Sequence, residues 1–82
     1  MADAVLTKAV DLARAAAEEE APWGTVGDHV GVDFDDERVA THYFACLDPA
    51  YVGWRWSVTV ARAPRAKAAT VDEVVLLPGP DA

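Results

Sequence analysis

Between Asp3 and Ala21, apolar residues fall at Val5, Leu6, Ala9, Val10, Leu12, Ala13, Ala16 and Ala17. They recur every three or four positions, which predicts one amphipathic helix over Asp3–Ala21. Asp3 offers a cap for the first turn, alanine fills the interior at no cost in side-chain entropy, and Pro22 ends the run. A continuous helix of this length measures about 27 Å. Glu18, Glu19 and Glu20 fall at the negative end of its dipole, so the pattern predicts a frayed last turn.

After Trp23-Gly24-Thr25-Val26-Gly27 the period changes to two. Val30, Val32 and Phe34 alternate with His29, Gly31, Asp33 and Asp35, which predicts a first strand buried on its valine side. Asp35-Asp36-Glu37-Arg38 supplies a turn, and the β-branched and aromatic run from Val39 to Leu47 predicts a second strand stopped by Asp48-Pro49. From Gly53 the alternation is clearest: Trp54, Trp56, Val58 and Val60 on one side, Arg55, Ser57, Thr59 and Ala61 on the other. Pro64 ends that third strand, and a fourth runs from Thr70 to Leu77 before Pro78-Gly79-Pro80.

Short connections favour antiparallel neighbours. The expected architecture is therefore α+β: one N-terminal amphipathic helix packed on a four-stranded antiparallel meander sheet, facing Trp54, Trp56, Val58 and Val60. The second strand is apolar on both sides, with Val39, Tyr43 and Leu47 opposite Ala40, Phe44 and Cys46. Such a strand is either central and covered twice or joined to another chain, and a homodimer is one expectation.

The chain has 82 residues, enough for one small core and hence a single domain over 1–82. Its charge of −7 opposes general adhesion to nucleic acid or to an anionic membrane. A lone cysteine, Cys46, and no basic-then-apolar leader point to the cytoplasm. No run reaches the ~18 apolar residues of a membrane span.

Asp33, Asp35, Asp36 and Glu37 lack the glycine and distal glutamate of a calcium loop and read as a solvated hairpin turn. His29, His42 and Cys46 fall short of a zinc set: along a strand, His42 and Cys46 lie roughly 13 Å apart. Cys46 reads as a small buried hydrophobe. No phosphate loop, nucleophile elbow or dinucleotide fingerprint occurs, so neither cofactor nor catalytic residue is assigned. Trp54 and Trp56 read as core rather than as a base-stacking platform, and Trp23 as cover for the end of that core.

The remaining feature is basic. Arg55, Arg62, Arg65 and Lys67 lie in a stretch that contains no acid. They are the candidate partner-binding residues, forming an electropositive tip that meets an acidic protein, and reversing Arg62, Arg65 and Lys67 is expected to leave folding nearly unchanged. The leading function is a non-enzymatic protein-interaction module. A nucleic-acid-associated regulator using the basic loop is the alternative, and a small enzyme or ligand-binding domain ranks third.

Three stretches carry a family resemblance: Thr41-His42-Tyr43-Phe44-Ala45-Cys46-Leu47-Asp48-Pro49, the tryptophan strand from Gly53 through Arg65, and Thr70 through Pro80. With the helical Asp-Leu-Ala-Arg-Ala-Ala-Ala at 11–17, they resemble the amino-terminal region of an actinobacterial family known as domain of unknown function 3027. The resemblance implies a cytoplasmic actinobacterial protein, truncated relative to longer members, and implies no reaction.

Overall fold

The computed structural model describes residues 3–82. Helix α1 (Ala4–Thr7) and helix α2 (Val10–Glu20) precede strands β1 (Val26–Asp36), β2 (Val39–Cys46), β3 (Trp54–Ala61) and β4 (Thr70–Pro78), with one 3-10 turn at Pro49–Tyr51. The strands form one antiparallel sheet in the order β1-β2-β3-β4, the expected meander. The molecule measures 41 × 24 × 16 Å.

The expected single helix is broken at Lys8–Ala9, and the cause is tertiary. In an unbroken helix the Leu6 carbonyl accepts from the amide of residue 10. Here it accepts from Ala9 N at 3.2 Å and from the buried ring of His42, whose Nε2 donates at 2.7 Å. Asp3 caps α1 as expected, accepting from Val5 N at 2.9 Å and Leu6 N at 3.3 Å. No frayed turn is seen at the far end. Helix α2 runs through Glu20, closed by the bond from Ala21 N to Ala17 O at 2.8 Å.

The core lies between the helices and one face of the sheet. Leu6, Ala13 and Ala17 on the helical side are fully buried with Ala40, Phe44, Val58 and Val60 of the sheet, and Trp56 is nearly so. Small side chains on α2 let the helix approach closely, which leaves room for Trp56. Trp54 departs from expectation: it is only half-buried and meets Tyr51 edge-on, with ring centroids 5.1 Å apart.

Strand β1 departs further. Its pairing with β2 is irregular between Val26 and His29, between His29 and Gly31, and between Phe34 and Asp36. An irregularity of this kind moves every later side chain to the other face. His29 consequently shares the helix-facing side with its partner Phe44, whereas Val30, expected in the core, is 53% exposed.

Strand β2 is central, between β1 and β3, and the helices cover one of its faces. On the other face the Arg55 guanidinium lies 4.0 Å from the Tyr43 ring centroid, a cation–π contact. Burial, and then the neighbouring Asp33 carboxylate, push the Tyr43 hydroxyl above its ordinary value. Val30, Val75 and Leu77 are exposed toward the margins of this uncovered face.

Candidate functional site

Large apolar side chains left in water gather where β1 starts, β2 ends and β3 starts. Past Pro22 the chain turns tightly: Gly24 takes a positive φ of 79°, and Thr25 bonds back to the Pro22 carbonyl through its amide (3.2 Å) and hydroxyl (2.7 Å). The Thr25 carbonyl then accepts from Leu47 N at 2.8 Å and from Trp56 Nε1 at 3.2 Å. This turn is therefore fastened both to the sheet and to the core. It carries Trp23 at its tip, 99% exposed. The expectation that Trp23 covers the core fails, because the bonded turn aims the indole away from it.

Leu47, 58% exposed, lies against Gly27, where an added Cβ would come within 2.9 Å of Leu47 Cδ2. Asp48 caps the 3-10 turn by accepting from Ala50 N at 2.9 Å. That turn sets Tyr51 against Trp54 and leaves Val52 74% exposed. Beyond it, Gly53 (φ 82°) sits where any Cβ would strike the backbone of Asp81 at 2.6 Å, so the β3 corner admits only glycine. Trp23, Leu47, Tyr51 and Val52 thus stand exposed at one end of the sheet, on turns held by hydrogen bonds.

The four basic residues singled out by sequence do not form one patch. Arg55 opens β3 and Arg62 follows its end, about 23 Å away along the strand. Arg55 lies on Tyr43. Arg62 clasps Asp3, with Nε at 2.8 Å and NH2 at 2.7 Å from Oδ2, and donates to the Ala66 carbonyl at 3.1 Å. The Arg62 hydrogen bond holds the Asp3 carboxyl below the usual carboxylate range against the opposing effect of burial. Arg65, at φ 68°, and Lys67 are exposed on the loop.

Because of that clasp the three loop cations are not equivalent. Arg62→Glu sets two carboxylates against each other and is expected to lower the thermal midpoint by several degrees, while Arg65→Glu/Lys67→Glu leaves it nearly unchanged. Thermal denaturation of both variants measures the difference. Equal midpoints would show that the clasp contributes nothing to stability.

One constellation was missed by sequence reading. His42 is fully buried, and its Nδ1 lies 2.9 Å from His29 Nε2, beneath α1. Since a carbonyl only accepts, His42 donates Nε2–H to Leu6, and its Nδ1 shares a single proton with His29 Nε2 across the 2.9 Å contact. Burial, followed by the charges of His42 and Arg14, pushes His29 below the ordinary histidine value. Arg14 spans the same neighbourhood, with its guanidinium 4.8 Å from the Phe44 centroid and NH1 donating to the Gly27 carbonyl at 2.9 Å. Period-two counting placed His29 on the opposite face, so only the β1 irregularity brings the rings together.

Among the described residues, no three His, Cys, Asp or Glu side chains converge as a metal site, and no helix is long and apolar enough to cross a membrane. The structure therefore defines a small α+β domain whose sheet is covered by helices on one face and carries several exposed apolar side chains at one end. The chain belongs to the family described as "Protein of unknown function (DUF3027)", whose model matches residues 27–82. The uncharacterized protein Rv0877 of Mycobacterium tuberculosis and the uncharacterized protein Mb0901 of Mycobacterium bovis are each 49% identical over 79 residues. Each alignment takes in 96% of this chain, which spans 30% of the length of these relatives. No solved structure matches the chain.

Proposed function

We propose that this domain is a non-enzymatic protein-interaction module of the cytoplasm that docks through the apolar end carrying Trp23. The observation behind this reading is the 99% exposure of a tryptophan on a turn pinned by hydrogen bonds to Leu47 and Trp56. An exposed indole is a poor choice for solubility alone and a frequent anchor at interfaces. A prearranged turn also loses little conformational freedom on docking, which favours binding.

Crosslinking with the intact protein tests the reading. The parent is expected to give a discrete protein adduct, and Trp23→Ser is expected to lose it while melting like the parent. An adduct formed equally by the variant removes the apolar end from the interface. A second reading places an acidic partner on Arg65 and Lys67, supported by their exposure at the opposite end of the sheet. It predicts loss of the adduct in Arg65→Glu/Lys67→Glu instead.

A further inference from the structure

We infer that the surface receiving the Trp23 end is an apolar cleft bordered by lysine or arginine side chains; this rests on the reading of that end as the docking surface. The inference comes from the charges around the cluster. No lysine or arginine lies between Arg14 and Arg38, nor between Arg38 and Arg55, and these stretches build the end. Arg14 itself is engaged with the Gly27 carbonyl and the Phe44 ring.

Acidic groups surround the apolar residues. Glu18 borders the same depression as Pro22, Trp23 and Val26. Glu20 closes α2, Asp28 follows the glycine beneath Leu47, and Asp48 follows Leu47 itself. Among the described residues none of these four carboxylates is in an ion pair. Glu18 and Glu20 also stand at the C-terminal end of α2, where the helix dipole adds negative potential and a cation is the favoured neighbour. The two cations that the fold places near this end are turned elsewhere, Arg14 to the Gly27 carbonyl and the Phe44 ring and Arg55 to the Tyr43 ring, and neither pairs with these carboxylates, so a partner that brings a cation gains electrostatically.

The opposite end differs. Lys8 and Lys67 border one depression there, Arg62 N bonds to the Arg38 carbonyl and Arg65 lies on the same loop, so five cations share that end with Asp3, Asp36 and Glu37. Charge is thus polarised along the molecule: one end mixed, the other acidic around an apolar centre. Two copies meeting through the acidic end would oppose carboxylate to carboxylate, and an acidic protein or a nucleic acid would be repelled likewise. A cleft with an apolar floor takes the indole and leucine, and its basic rim answers the glutamates. In such a contact the rim controls steering and salt dependence while the indole sets the lifetime.

The test uses the full chain, labelled with nitrogen-15, and three synthetic amphipathic helical peptides of one pattern: leucine with lysine, with glutamine, or with glutamate. The leucine–lysine peptide is expected to shift the Trp23 indole resonance and to bind at least ~10-fold tighter than the glutamine peptide, with the preference weakening as salt rises. Trp23→Ser is expected to weaken leucine–lysine binding by about 10-fold or more. Glu18→Gln/Glu20→Gln is expected to erase most of the lysine preference with the fold intact by circular dichroism.

The failures are separable. If Trp23→Ser binds like the parent, the docking surface itself is wrong. If Trp23→Ser loses binding while the glutamine variant keeps the lysine preference, the surface stands and the basic rim is overturned. If light scattering shows a parent dimer that Trp23→Ser dissolves, the occupant is a second copy and the inference is overturned.

Discussion

Trp56→Ala is expected to cost about 3–5 kcal/mol, the range for removing a large aromatic side chain from a core. The side chain is 8% exposed and belongs to the cluster that joins Leu6, Ala13 and Ala17 to the sheet. Because those helical residues are mostly alanines, few neighbouring side chains can extend into the space it would leave. Loss of the indole also removes one of the two donors on the Thr25 carbonyl, loosening the turn that carries Trp23. A domain of this length has a total stability of roughly 4–12 kcal/mol. The variant should therefore melt at least ~12 °C below the parent or lack a cooperative transition. Trp54→Ala, at a half-exposed position on the same strand face, should cost much less. Chemical denaturation of both measures the contrast, and a Trp56 variant as stable as the parent would displace this residue from the core.

Acidification is expected to destabilise the fold across the range in which histidine titrates, through the His29–His42 pair. The folded-state value of His29 is lowered, so the unfolded chain binds the proton more readily. The stability this gives is fully present above the unfolded value, near 6.5, and is lost as pH falls from there through the folded value. The groups facing the pair are the Leu6 carbonyl from α1, the Phe44 ring from β2 and Arg14 from α2. Denaturation midpoints measured from pH 8 to pH 5 should fall in the parent and much less in His29→Gln. His42→Leu fills much of the same volume but leaves the Leu6 carbonyl without its ring donor, and should cost about 1–3 kcal/mol even at pH 8. Amide exchange in α1 should quicken in that variant. A parent midpoint independent of pH would remove the pair from any role in stability.

Much of this fold was legible in the chain because its signals are local. Alternation at Trp54, Trp56, Val58 and Val60 specifies a half-buried strand whatever surrounds it, and Pro22, Pro49 and Pro64 mark ends because proline cannot continue helix or ladder. Short connections then leave little choice but a meander, which is what forms. The candidate site was far less legible. Trp23 was visible as a loop residue, but its exposure depends on where the Thr25 carbonyl finds donors, and both come from residues more than twenty positions away.

The four strands, their antiparallel order, the alanine-rich helical segment and the lack of basic residues between Arg14 and Arg38 and between Arg38 and Arg55 can all be read along the chain. Those properties follow from side-chain period, backbone chemistry and composition. The rest came from contacts between residues far apart in the chain. The Leu6 carbonyl turns to His42 and breaks the helix, the irregular β1 ladder turns His29 inward and Val30 outward, and Asp3 reaches across the fold to Arg62. Each outcome is a contest between a local pattern and a partner distant in sequence. The distant partner wins where it satisfies a buried polar group that the local pattern would leave without one.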